Sequence, residues 1–142
     1  NSIAGKTVIQ LALNCGTEGY NSTLVLCSDG TVHACGYNGY GQLGLGDTTQ
    51  RNNFVQLPVL AGITQIAAGR ERYTAYYAVK NDGTLYSWGY NGNGQLGDGT
   101  LNTRFCTAAH TSARAVAPTP ISREKVMNVG NVSMQKLLLI IQ

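Results

Sequence analysis

SDGTVHACGYNGYGQLGLG, residues 28–46, returns 53 positions later as NDGTLYSWGYNGNGQLGDG, residues 81–99. Twelve of these nineteen positions are identical: Asp29, Gly30, Thr31, Gly36, Tyr37, Asn38, Gly39, Gly41, Gln42, Leu43, Gly44 and Gly46. Self-similarity at a fixed spacing of about 50 residues marks a repeat architecture, in which each unit buries its apolar faces against its neighbours. The repeat decides the fold.

Upstream the likeness continues once two inserted residues are allowed. Residues 4–13, AGKTVIQLAL, lie over AGITQIAA at 61–68, and TLVLCSDG at 23–30 lies over AYYAVKNDG at 75–83. A third copy starts near Lys125, where KVMNVG resembles ITQIAAG and KLLLIIQ resembles the strand before the Asp-Gly turn. No third DGT or GQLG follows.

Residues 8–13 and 63–68 are apolar runs of strand length. Residues 24–28, Asp29-Gly30 and residues 31–35 form a hairpin pattern, repeated as 77–81, Asp82-Gly83 and 84–88. Read as a two-residue turn, Asp29-Gly30 sets Cys27 opposite Val32, Leu26 opposite His33 and Leu24 opposite Cys35. One face then carries Leu24, Leu26, His33 and Cys35, and the other Val25, Cys27, Val32 and Ala34. Both are largely apolar, so the sheet expects neighbours on both sides. A fourth strand is expected near residues 54–57 and again near 105–109. The fold expected is all-β: a partial β-propeller of antiparallel blades of three to four strands, two complete and one incomplete. The blades occupy residues 1–60, 61–123 and 124–142 of a single unit.

Composition agrees. The 142 residues include 18 Gly but only 3 Pro, and 12% are charged against about 25% in an ordinary domain. Glycine with Thr, Asn and Tyr favours strands and tight turns. The net charge of +3 is scattered, with no basic run for nucleic acid or anionic lipid. The longest apolar stretch, residues 137–141, is far below the roughly 20 residues of a membrane-spanning helix. Cys15, Cys27, Cys35 and Cys106 fit no zinc spacing. Four buried thiols are expected, with Cys15–Cys106 open as a pair and Cys27 and Cys35 placed on opposite faces of one hairpin. Asn21 and Asn131 begin Asn-x-Ser/Thr triplets, which matter only on a eukaryotic secretory route.

Asp29-Gly30-Thr31, Gly36-Tyr37-Asn38, Gly41-Gln42-Leu43-Gly44 and Gly46, with Asp82-Gly83-Thr84, Trp88-Gly89-Tyr90-Asn91, Gly94-Gln95-Leu96-Gly97 and Gly99, resemble the regulator of chromosome condensation repeat family. The resemblance covers residues 4–105 well and 124–142 weakly. Cys35 stands where the family usually has Trp. It implies a propeller of about seven four-stranded blades, more than this chain can build. The chain is then a piece of a longer protein, a cut protein, or a subunit completed by other copies, and it is not expected as a free monomer. Family members include a nucleotide-exchange factor for a small GTPase, a secreted inhibitor of β-lactamases, and repeat proteins without assigned activity.

Gly39-Tyr40-Gly41-Gln42-Leu43-Gly44 and its repeat both fit the dinucleotide pattern GxGxxG, but turn formers follow where a helix must open. They read as structural turns, together with Asp29, Gly30, Gly36, Asp82, Gly83 and Gly89. His33 with Cys35 would need further metal ligands, and neither these nor His110 come with any. Tyr86 in the His33 position points to packing. No nucleophile constellation appears, so no enzyme activity and no cofactor are expected. The candidates for recognition are Arg70, Arg72 and Tyr73 in the loop after the first strand of the second unit, with Tyr20 and Tyr40. Tyr37 and Tyr90, being repeated, are expected to pack between blades. Residues 107–124, with Pro118 and Pro120, read as a longer loop. The function expected is non-enzymatic protein binding or assembly, with composition leaning to a bacterial or viral surface. The alternatives are an exchange-factor-like fragment and a fibre subunit completed by strand addition.

Overall fold

The computed structural model describes residues 2–14, 19–69 and 74–110, the last three by backbone only. Among the described residues, eight strands form two sheets. The first blade holds β1 (Val8–Asn14), β2 (Ser22–Cys27), β3 (Val32–Gly36) and β4 (Arg51–Gln56). The second holds β5 (Ile63–Ala68), β6 (Ala75–Lys80), β7 (Leu85–Gly89) and β8 (Arg104–His110). Each is a four-stranded antiparallel meander in sequence order. The expected start of a third blade at 124–142 lies outside the described residues. So do Cys15, the Asn131 triplet and most of the loop expected at 107–124.

The hairpin register differs from the sequence expectation by one residue. Leu26 pairs with Val32, Val25 with His33, Leu24 with Ala34 and Thr23 with Cys35. The loop has three residues, not two. Gly30 N–H donates to Cys27 C=O at 2.9 Å and Cys27 N–H to Thr31 C=O at 2.9 Å, with Gly30 at φ 76°. This is a four-residue turn, residues 27–30, ending on a left-handed glycine, the bulged alternative to the two-residue hairpin. The Asp29 carboxylate holds it by accepting from Thr31 N–H at 3.1 Å and Thr31 Oγ1–H at 2.6 Å.

A one-residue slip exchanges the faces of one strand against the other. Leu24 and Leu26 therefore share their face with Val32 and Ala34, and His33 and Cys35 share theirs with Val25. Cys27 and Cys35 lie on the same face rather than opposite ones. Because Cys35 pairs with Thr23, four positions from Cys27, the two are about 13 Å apart along the strand, beyond disulfide reach. Of the expected buried thiols, Cys27 is buried, Cys35 half-buried and Cys106 exposed, all three free.

The corrected face is the core. Ala12, Leu24, Leu26, Val32, Ala34, Leu43 and Leu57 of the first blade meet Ile63, Ile66, Ala68, Tyr76, Ala78 and Trp88 of the second in one buried cluster. Trp88 anchors it. Its ring stacks on Tyr76 at 6.0 Å between centroids, and its Nε1–H donates to Gln42 C=O of the first blade at 2.9 Å. Gly44 makes room, since a Cβ there would lie 2.8 Å from the indole nitrogen. Tyr76 O–H donates to Ser22 C=O at 2.9 Å, with Ser22 Oγ also 2.8 Å from that hydroxyl. Gln10 completes the joint: its amide donates to Ile66 C=O at 2.7 Å and accepts from Ile66 N–H at 2.9 Å, like an added strand residue.

Candidate functional site

In an antiparallel meander the connections β1–β2 and β3–β4 leave one end of the sheet and β2–β3 the other. The Asp29 and Asp82 turns therefore mark one end of the blades, and the glycine-rich loops the opposite end. Each of those loops is built round a buried asparagine. Asn38 Oδ1 accepts from Leu43 N–H at 2.9 Å, while its Nδ2 donates to Asp47 C=O at 2.9 Å and Thr49 C=O at 3.2 Å. Asn91 repeats this with Leu96 N–H at 2.9 Å and Thr100 C=O at 2.9 Å. Gln42 and Gln95 each accept a loop N–H, from Tyr40 and Asn93, at 2.9 Å. Chains of tight turns, Gly41 N–H to Asn38 C=O and Gly44 N–H to Gly41 C=O, then lead towards β4. A dinucleotide site instead needs a helix opening directly after the glycines.

Arg51 on Asp47 and the Thr49 N–H hold the Asp47 carboxyl below its usual range, and Thr100 with Arg104 does the same for Asp98. These charges are spent inside the loops. His33, fully buried, has Ser2 Oγ at 2.7 Å from Nδ1 and Thr31 Oγ1 at 2.9 Å from Nε2. Burial, then the charge of Lys6, lowers its pKa. With both nitrogens engaged by hydroxyls, the ring is not aimed at a metal shared with Cys35.

What this end presents is aromatic. Tyr20 meets Tyr37 edge-on at 4.8 Å, Tyr37 meets Tyr40 at 6.2 Å, and Tyr40 meets Tyr90 of the second blade at 5.8 Å. All four rings are half-buried, forming one row across both blades. The loop glycines shape it, because a Cβ on Gly39 or Gly92 would run into the hydroxyl of Tyr37 or Tyr90. The structure thus brings Tyr20 and Tyr40 together. Tyr90 makes a contact between the blades, through Tyr40, while Tyr37 meets Tyr20 and Tyr40 of its own blade. Arg70, Arg72 and Tyr73 lie outside the described residues. The joining of Tyr40 to Tyr90 was not visible in sequence, since Asn93 replaces Tyr40 in the second copy and breaks the repeat.

Two four-stranded meanders packed face to face, with glycine loops at one end and Asp-Gly turns at the other, define a repeat protein of the β-propeller class. The model of the regulator of chromosome condensation (RCC1) repeat matches residues 29–75 and 82–133, and a second model of the same repeat matches 11–42 and 63–95. The chain belongs to this family. Among curated proteins it is similar to the probable E3 ubiquitin-protein ligase HERC4 of Rattus norvegicus, 41% identical over 88 residues, which is 61% of this chain and 8% of that protein. It is also similar to the X-linked retinitis pigmentosa GTPase regulator of Homo sapiens, 43% identical over 82 residues, 56% of this chain and 8% of that protein. The chain therefore spans under a tenth of these relatives. Among solved structures, human WBSCR16 superposes with a TM-score of 0.62 at 30% identity, over 75% of this chain and 26% of that one. Yeast RCC1 (Prp20), solved with Kap60, superposes at 0.56 and 17% identity over 74% and 25%, and shows the fold alone.

Proposed function

We propose that the chain is a non-enzymatic protein-binding module of a propeller, divided into blades at 1–60 and 61–123 with a third begun at 124–142. Its tyrosine row receives the partner, and Arg70, Arg72 and Tyr73 are further candidates for that contact. The observation that carries this reading is the continuous contact from Tyr20 through Tyr37 and Tyr40 to Tyr90. Tyrosines held edge to face present large, pre-ordered, amphipathic area at little entropic cost, and Tyr and Arg dominate binding energy at interfaces. The four aspartates support a non-catalytic role, since each is tied into a turn or an arginine pair. The similar ligase and GTPase regulator are much longer proteins, in which a region like this one is a small part. These mammalian relatives lend no support to a bacterial or viral surface origin, which is set aside.

The test is peptide-library panning with the whole chain. Wild type should enrich a defined peptide set, and Tyr40→Ala should weaken its binding about tenfold, the loss of one interface anchor. Tryptophan emission would show the blades intact. No enrichment, or binding indifferent to Tyr40 and Tyr90, would count against the row. The similar GTPase regulator favours a second reading, nucleotide exchange. Faster nucleotide release from a small GTPase in the presence of the chain would establish it.

A further inference from the structure

Asparagine precedes glycine at 38–39, 91–92 and 93–94. In the first two pairs each member answers a different demand of the loop. The asparagine gathers its neighbours: Leu43 N–H donates to Asn38 Oδ1 at 2.9 Å, and Asn38 Nδ2 faces Asp47 C=O at 2.9 Å, Asp47 Oδ1 at 3.1 Å and Thr49 C=O at 3.2 Å. The glycine leaves room for a tyrosine, since a Cβ on Gly39 would lie 2.0 Å from the Tyr37 hydroxyl, and one on Gly92 2.1 Å from that of Tyr90. Together they make the dipeptide most open to imide formation, because no Cβ on the second residue hinders its nitrogen or restricts its backbone. In that reaction the glycine nitrogen gives up its proton and attacks asparagine Cγ, the Cγ–Nδ2 bond breaks, and Nδ2 leaves as ammonia with the proton. Water then opens the cyclic imide at either carbonyl, giving aspartate or isoaspartate.

We propose that Asn38 and Asn91 are concealed deamidation sites, reactive when their loops open, and that reaction there closes the way back to the folded loop. In the folded loops both asparagines are fully buried, and hydrogen bonds on Oδ1 and Nδ2 keep the amide from turning towards the glycine nitrogen. The third pair, Asn93-Gly94, has an exposed asparagine and no such shelter. Conversion reverses the sign of the contact. The acid formed at 38 sets an oxygen where Nδ2 donates, against three acceptor oxygens, one of them in the Asp47 carboxylate that Arg51 keeps ionised. At 91 the new oxygen meets Asp98 Oδ1 at 3.1 Å and Thr100 C=O at 2.9 Å. A buried charge left without a donor and facing a like charge costs more than the loop's remaining hydrogen bonds return. A loop once opened and converted does not reclose, and Tyr37, Tyr40 and Tyr90 lose the turns that space them. The loops thus keep a permanent count of their openings, whether or not the tyrosine row binds a partner.

Ageing the full chain in mildly alkaline buffer, with and without urea, followed by peptide mapping with fragmentation to tell Asn91 from Asn93, tests this. In urea Asn38 and Asn91 should both convert. Without urea they should convert at least about tenfold more slowly, because a group reached through an open form reacts in proportion to that form's population. Gly39→Ala in urea should suppress conversion at 38 and spare that at 91, which identifies the imide route. Asn38→Asp and Asn91→Asp should each lower the urea midpoint or leave the chain unfolded. Asn93→Asp, the same charge change on an exposed residue, should keep the midpoint. Equal conversion with and without urea overturns the proposal, and so does a midpoint that Asn38→Asp lowers no more than Asn93→Asp does.

Discussion

Aspartates in this chain serve the turns that hold them, and that service can be titrated. Hydrogen bonds from Thr84, then the ammonium of Lys80 at 3.0 Å, hold Asp82 down to about 2. Lys6 and Thr31 hold Asp29 lower, as Thr100 and Arg104 do Asp98. His33 is depressed as well, chiefly by burial. All four groups have folded-state values below their unfolded ones, so each contributes stability that is present above its unfolded pKa and lost as pH falls through the folded value. The urea midpoint should therefore drop in two stages. The first begins below about pH 6.5, the unfolded value of His33, and the second below about pH 4, the unfolded value of the aspartates. His33→Asn should abolish the first stage and keep the second, whereas Asp82→Asn should shrink only the second. A midpoint independent of pH from neutral to 2 would contradict both assignments. Residue chemistry of this kind was readable in advance for Asp29 and Asp82, whose DGT setting announces a turn. It was not readable for Asn38 and Asn91, because an invariant amide gives no sign of which backbone groups it will gather.

At the scale of the strand, sequence placed the elements well and their register badly. β5 fell where expected, and β4 and β8 proved longer than their expected cores. The hairpin slipped because Asp-Gly is compatible with both a two-residue turn and a three-residue loop closed by left-handed glycine. Both offer alternating apolar faces here, so hydrophobicity could not arbitrate. What arbitrates is Gly30, whose carbonyl accepts from Ile63 N–H of the second blade at 3.1 Å. A Cβ on Gly30 would sit 3.1 Å from Gly62 Cα, whereas Gly46, also left-handed at φ 86°, has nothing within 4 Å. Gly46→Ala should thus cost backbone strain alone, about 1–2 kcal/mol. Gly30→Ala should exceed it by roughly a further 1 kcal/mol, since the neighbouring backbone must move. Equal losses in chemical denaturation would mean that the turn bears no load between the blades.

Over the whole molecule, the repeat revealed two wedges but not how they hold each other. Gln10 carried no signal, because the two-residue insertion hides its equivalence to Gln65. The lone tryptophan gave half of one: a Trp in one copy facing Cys35 in the other shows that the blades are not interchangeable, without showing which surface the indole enters. In the structure it enters the first blade, fully buried, with its N–H on Gln42. Trp88 is the only tryptophan of the 142 residues, so its emission reports the joint between blades and nothing else. Far-ultraviolet circular dichroism reports the strands of both. Because the core is one cluster drawn from both blades, the two signals should change together in denaturant, at a single midpoint. Gly44→Ala, which pushes a methyl group against the indole, should lower that midpoint for both probes alike. Red-shifted emission arriving before the loss of strand signal would show instead that each blade stands without the other, and that the core between them is a contact rather than a condition of folding.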